Sequence, residues 1–140
     1  MELCARLARF KKENKELLTF LLFDAHDEDA FVASVKADLD AMFNEMRSVS
    51  NLYLVKKSLR KILRHANKFA RFSGSKNVEV QLLLYFLSKW LDSGAAFRKN
   101  PVLVNLYKMQ LKKIEKAMTA LHEDLQFDYR RELLRLGDAL

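Results

Sequence analysis

Residues 76–92 read KNVEVQLLLYFLSKWLD, and the reading of this stretch decides the fold class. Its polar stripe is narrow: Gln81, Ser88 and Asp92, with Tyr85 between them. Wound as a helix, most of its circumference is apolar. Such a helix is either central to a bundle or at a subunit interface. The dense run LLLYFL at 82–87 has six residues, against the ~20 needed to span a bilayer. A core helix carrying Tyr85 and Trp90 inward is expected, with a homodimer seam along this same helix as the alternative.

Helical periodicity continues on both sides. Upstream, Leu52, Val55, Leu59, Ile62, Leu63, Ala66 and Phe69 recur at three- and four-residue steps, predicting a helix over about 51–72 with Ser50 as its cap. Ser73-Gly74-Ser75 ends it, since glycine enters the left-handed conformation without a Cβ clash. Before that, Phe31, Val35, Leu39, Met42, Phe43 and Met46 form the apolar face of a helix capped by Asp27, with Glu28 and Asp29 favouring the positive end of its dipole. A first helix is expected over 3–23, carrying Leu3, Leu7, Phe10, Leu17 and Leu21.

Downstream, Gly94 closes the 76–92 helix, and Asn100-Pro101 is a strong start signal. From there one stripe runs Leu103, Tyr107, Leu111, Ile114, Met118, Leu121, Leu125, Tyr129, Leu133, Leu136. A continuous helix of that length would be roughly 54 Å long, too long for so small a domain. A kink or break is therefore expected near His122–Asp128.

Composition agrees. The chain has 140 residues, half of them hydrophobic, with three glycines and one proline. Too few turn residues are present for an all-β sandwich or barrel, and the apolar content excludes disorder. The expectation is a single all-α domain over 1–140: an antiparallel bundle of five or six long helices. The pairs 3–48, 51–93 and 101–136 have a period near 48, so a short HEAT-like αα-solenoid of three hairpins is the alternative.

A basic stretch before Leu17–Phe23 mimics a secretory signal, but its apolar run is seven residues and leads into Asp24-Ala-His-Asp-Glu-Asp. It reads as an amphipathic helix. Cys4 is alone and can form no internal disulfide, which places the chain in a reducing, cytoplasmic setting with no membrane segment.

Signals for enzyme chemistry fail in turn. His26, His65 and His122 lie far apart without metal-spaced partners. A calcium loop starting at Asp24 would need Gly at its sixth position and Glu at its twelfth, where Asp29 and Val35 stand. Cys4 has no base nearby in its own helix. Gly74-Ser75-Lys76 lacks the first glycine and the strand of a Walker A loop. What remains there is a weaker candidate, an anion held by the amides opening the 76–92 helix together with Lys76 and Arg71. No catalytic residue, metal or cofactor is expected.

Charge carries the functional signal. The chain has 25 basic and 18 acidic side chains. Between Met46 and Val78 it has no acidic residue but nine basic ones: Arg47, Lys56, Lys57, Arg60, Lys61, Arg64, Lys68, Arg71 and Lys76. Elsewhere acids outnumber bases by two. Residues 24–45 are the mirror case, with seven acids against Lys36. Lys56, Arg60, Arg64 and Lys68 form one ridge, and Lys57, Lys61 and His65 the next. Like charges at that spacing repel.

Two explanations compete. The acidic helix could neutralise the basic one within a hairpin, although two ridges cannot both face it. Otherwise the basic face of the 51–72 helix binds an acidic protein surface, or a polyanion such as nucleic acid or polyphosphate. No helix-turn-helix pattern or interleaved aromatic supports base readout. The expected function is a non-catalytic interaction or scaffold module. Its proposed contact residues are Lys56, Lys57, Arg60, Lys61, Arg64, Lys68, Arg71 and Lys76.

Overall fold

Helix boundaries fall where side chains can take over backbone hydrogen bonds. A computed structural model describes residues 27–47, 51–93 and 100–139. It contains α1 (Glu28–Arg47), α2 (Leu52–Ser73), α3 (Lys76–Asp92), α4 (Pro101–Met118) and α5 (Glu123–Asp138). Among the described residues there is no strand, and the architecture is an all-α bundle. The helix expected over 3–23, Ser50 and the Gly94 terminus lie outside the described residues.

Each start has its acceptor. Asp27 Oδ1 takes the N–H of Ala30 at 3.0 Å, ahead of the acidic first turn of α1. Asn51, rather than Ser50, caps α2, its Oδ1 accepting from Tyr53 N at 2.8 Å. Ser75 caps α3. Asn100 Oδ1 accepts from Val102 and Leu103 at 3.0 and 3.3 Å, and Pro101 occupies the first turn of α4. Gly74 ends α2 at φ +65°, a conformation that costs a residue with a Cβ roughly 1–2 kcal/mol. Its N–H donates to Ala70 and Arg71 carbonyls.

The expected break in the long C-terminal stripe is at Thr119–His122, at the leading edge of the predicted window. Neither Gly nor Pro makes it. Ala120 and Leu121 turn back onto the Ala117 and Met118 carbonyls. His122 then serves as N-cap, its Nδ1 accepting from Asp124 N at 3.2 Å. Gly137 falls within the last turn of α5.

The core is organised around α3, whose Val78, Val80, Leu82, Leu83, Phe86, Leu87 and Trp90 are fully buried. The other four helices all pack on it. Burial of one such side chain stabilises by roughly 1.5–3 kcal/mol. Phe43 of α1 meets Phe86 at 5.7 Å between ring centroids, and Phe86 meets Trp90 at 5.9 Å. Trp90 then meets Tyr107 of α4 edge-on at 5.3 Å. The Tyr107 hydroxyl donates to the Leu136 carbonyl at 2.7 Å and so ties α5 to α4 in the interior.

Cross-helix pairs fix the directions. Phe31–Phe69 and Asp38–His65 make α1 and α2 antiparallel. Glu28–Asn77 and Asp40–Tyr85 make α1 and α3 parallel. Asn77–Tyr129 and Ser88–Arg135 do the same for α3 and α5. Glu79–Lys113 and Trp90–Tyr107 make α3 and α4 antiparallel, so α1, α3 and α5 run one way, and α2 and α4 the other.

Candidate interaction surface

The amphipathic register of α2 positions the candidate residues. Leu59, Ile62, Leu63, Ala66 and Ala70 are buried on its inner side. At 100° per residue, Lys57, Lys61, Arg64 and Lys68 fall on the opposite side, with Arg60 and Arg71 beside them. Lys57, Arg60, Lys61, Arg64 and Arg71 are exposed, whereas Lys56 and Lys68 are half-buried. Lys68 Nζ lies 5.0 Å from the Phe69 ring centre and the Arg71 guanidinium 5.9 Å from that of Phe72. Seven of the eight predicted residues thus share one helix. Lys76 is exposed in the first turn of α3 and pairs with Glu79 at 3.2 Å.

The neighbours of α2 bound this face without covering it. On one flank His65 Nε2 meets Asp38 Oδ2 of α1 at 3.2 Å. On the other, Lys113 Nζ of α4 donates to Asn67 Oδ1 at 2.9 Å. Lys56, Lys57, Arg60, Lys61 and Arg64 have no carboxylate within 4.0 Å among the described residues.

Two of the acids of α1 are taken up by α3. Asp40 accepts from the Tyr85 hydroxyl at 2.5 Å and pairs with Lys89 at 3.2 Å, both on α3. Glu28 accepts from Asn77 Nδ2 at 3.0 Å. Asp38 of α1 reaches α2 at His65, in the ridge of Lys57 and Lys61.

No family model matches the chain, and neither a curated protein nor a solved structure does.

Three other sequence candidates take definite places. The anion site proposed at Gly74-Ser75-Lys76 is a cleft of about 310 Å³ that Arg71, Lys76 and Lys113 do line. Glu79 already stands in it, 3.2 Å from Lys76 and 4.0 Å from Lys113, so the charge an anion would supply belongs to the chain. The homodimer seam along α3 has lost its apolar surface to intramolecular packing. The polar stripe of α3 lines a cleft of about 280 Å³, with Gln81, Tyr85 and Ser88 facing Lys36, Tyr129 and Glu132. Several of its groups are held by residues around it. Tyr129 donates to Asn77, and Arg135 to Ser88 at 3.1 Å and Glu132 at 2.6 Å. Burial, with lesser contributions from nearby carboxylates, raises the Tyr129 phenol above its ordinary pKa.

Among the described residues no group of three or more His, Cys, Asp and Glu is placed to hold a metal ion. No described helix is long and apolar enough to cross a membrane.

Two features escaped the sequence reading. Leu52, Tyr53 and Leu54 are exposed at the start of α2, Tyr53 at 70%, and the register puts Tyr53 on the side of Lys57 and Arg60. The mixed character of that end was visible only as three apolar letters. The second is the row Lys108, Lys112, Lys116, exposed on α4. Its four-residue spacing was legible, but acids elsewhere in the chain hid it from a tally of net charge.

Proposed function

We propose that the protein is a non-catalytic interaction module that binds an acidic macromolecular surface through the basic face of α2. The observation that carries this reading is the set Lys57, Arg60, Lys61 and Arg64, exposed and without a carboxylate partner among the described residues. Stacking like charges along a helix works against its stability. An external acidic surface relieves that repulsion. Exposed Leu52, Tyr53 and Leu54 beside the cations favour a protein surface over a phosphate backbone, which offers leucine nothing to pack against. A HEAT-like stacking of hairpins and a cytoplasmic location, argued from the lone Cys4, belong to the same proposal.

The test compares the chain with a variant carrying Lys57, Arg60, Lys61 and Arg64 all changed to Gln. Binding is measured to poly-L-glutamate, heparin and a random DNA duplex across a salt series. Salt-sensitive binding to poly-L-glutamate, lost in the variant, is expected. Weak retention on every probe that the four substitutions leave unchanged overturns the reading. Preference for the duplex over poly-L-glutamate replaces the acidic protein with a nucleic-acid partner.

A further inference from the structure

The outer side of α5 carries the most exposed large apolar side chain on the described helices. Phe127 is 77% exposed and Leu134, two turns on, 60%. Clefts flank them on both sides. One of about 420 Å³ runs between α4 and α5 past Leu111, Met118, Leu133 and Leu134. The other, of about 750 Å³, is lined by Phe127, Arg131 and Leu134. Large side chains so exposed on one stripe mark a contact surface.

Charge on the same stripe says what kind of surface would meet it. Glu123 and Asp124 lie one turn before Phe127, and Arg130 and Arg131 one turn after it. Glu123, Arg130 and Arg131 make no ion pair among the described residues, and Asp124 has only the local His122 at 3.6 Å. From Glu123 to Arg131 the stripe is therefore acidic, apolar, then basic, which is complementary to itself reversed, with Asp128 at its edge and Asp138 beyond it.

We infer that α5 pairs with α5 of a second copy of this chain, antiparallel, about a two-fold axis at Phe127. That arrangement sets Glu123 against the partner's Arg131, Asp124 against the partner's Arg130, and the two Phe127 rings against each other. It is isologous, so it closes at two copies, and it opposes the helix dipoles favourably. One helix pair buries less than the ~1,200 Å² of a standard stable interface, so the dimer is weak and reversible. This inference uses a different helix from the basic face and does not depend on it.

Sedimentation equilibrium on the full chain from about 10 µM to about 1 mM tests it, a range suited to weak complexes. A monomer–dimer equilibrium is expected. Phe127→Ser weakens it roughly tenfold or more, as for an aromatic residue at the centre of an interface. Arg131→Glu and Glu123→Arg each weaken it, and the two together restore it, because every copy then carries both reversed partners. Phe127 is exposed, so an unchanged helical circular-dichroism signal is required of each variant. A monomer over the whole range overturns the inference, as does a dimer indifferent to Phe127→Ser. Failure of the double reversal to restore association overturns the antiparallel pairing.

Discussion

Helices α2 and α3 are neighbours joined by two residues, and they use their surfaces in opposite ways. Nearly the whole circumference of α3 is buried against four other helices. In α2 one side is buried, while the opposite side carries Lys57, Arg60, Lys61 and Arg64, which have no carboxylate partner among the described residues. What separates them is the source of each residue choice. On α3 it follows from packing, where close-packed side chains hold the fold together. The outer side of α2 runs against helix electrostatics, and packing there extends to Lys68 and Arg71 over the Phe69 and Phe72 rings. Under the proposed function its residue choice points outside the chain.

The contrast breaks most visibly at Trp90. It is fully buried and joins Phe86, which meets Phe43 of α1, to Tyr107 of α4, so that one ring system links three helices. Trp90→Ala should cost about 3–5 kcal/mol by transfer and cavity terms together. Urea unfolding of the variant measures this directly. A loss below about 1 kcal/mol would mean that α3 is not the centre of the bundle, since such a site would have to collapse almost without strain.

A smaller effect sits on the one polar stripe of α3. Burial first, then the hydrogen bond to Asp40 and its charge, push the Tyr85 phenol up to about 12. The folded value exceeds the ordinary value near 10, so the native state holds this proton more tightly. The corresponding stability is complete below pH ~10 and is lost as pH rises towards ~12. Tyr85→Phe should cost about 1 kcal/mol at neutral pH for the hydrogen bond, and should flatten the alkaline decline relative to the native chain. Parallel declines in the two proteins would show that Tyr85 does not anchor α1 to α3. Denaturant titrations at neutral pH and at about pH 11 separate the outcomes.

How much of this was legible in the sequence depends on whether a feature is local. The bounds of α3 follow from its own letters, as do the Asn100-Pro101 start and the Gly74 stop, because caps and φ constraints act within a turn. Asn51 caps α2 next to the expected Ser50, and adjacent residues of equal capping ability cannot be ranked by letter. The break at Thr119–His122 was expected from length alone, and its agents were invisible: Thr119 Oγ1 bonds the Lys116 carbonyl, and a histidine ring serves as cap.

Features that depend on neighbours were not legible. The charges of α1 and α2 could be counted, but not that Asp40 and Glu28 would be satisfied by α3. Phe127 lies next to the stripe of Leu125, Tyr129 and Leu133 in sequence. Only the turn of α5 after the break decides that Phe127 stays outside. The α5 pairing inferred above rests on that outcome, and so could not have been read from periodicity.

The smallest expected effect is the most informative for the comparison. Changing Lys57, Arg60, Lys61 and Arg64 to Gln removes four exposed charges and leaves the buried residues of α2 untouched. Glutamine, lysine and arginine have similar helix propensity, so propensity contributes little to any difference. What remains is the relief of repulsion within the ridges, a few tenths of a kcal/mol for each like-charged pair at helical spacing. Stability in urea should therefore be unchanged or slightly raised, and more so at low salt, where screening is weakest. The rise should fade as salt is added. A clear loss instead would show that these cations hold the fold together through partners inside the chain, and α2 would then resemble α3 rather than oppose it. A variant as stable as the parent or more so, yet stripped of binding to poly-L-glutamate, would separate the two roles that the two helices divide between them.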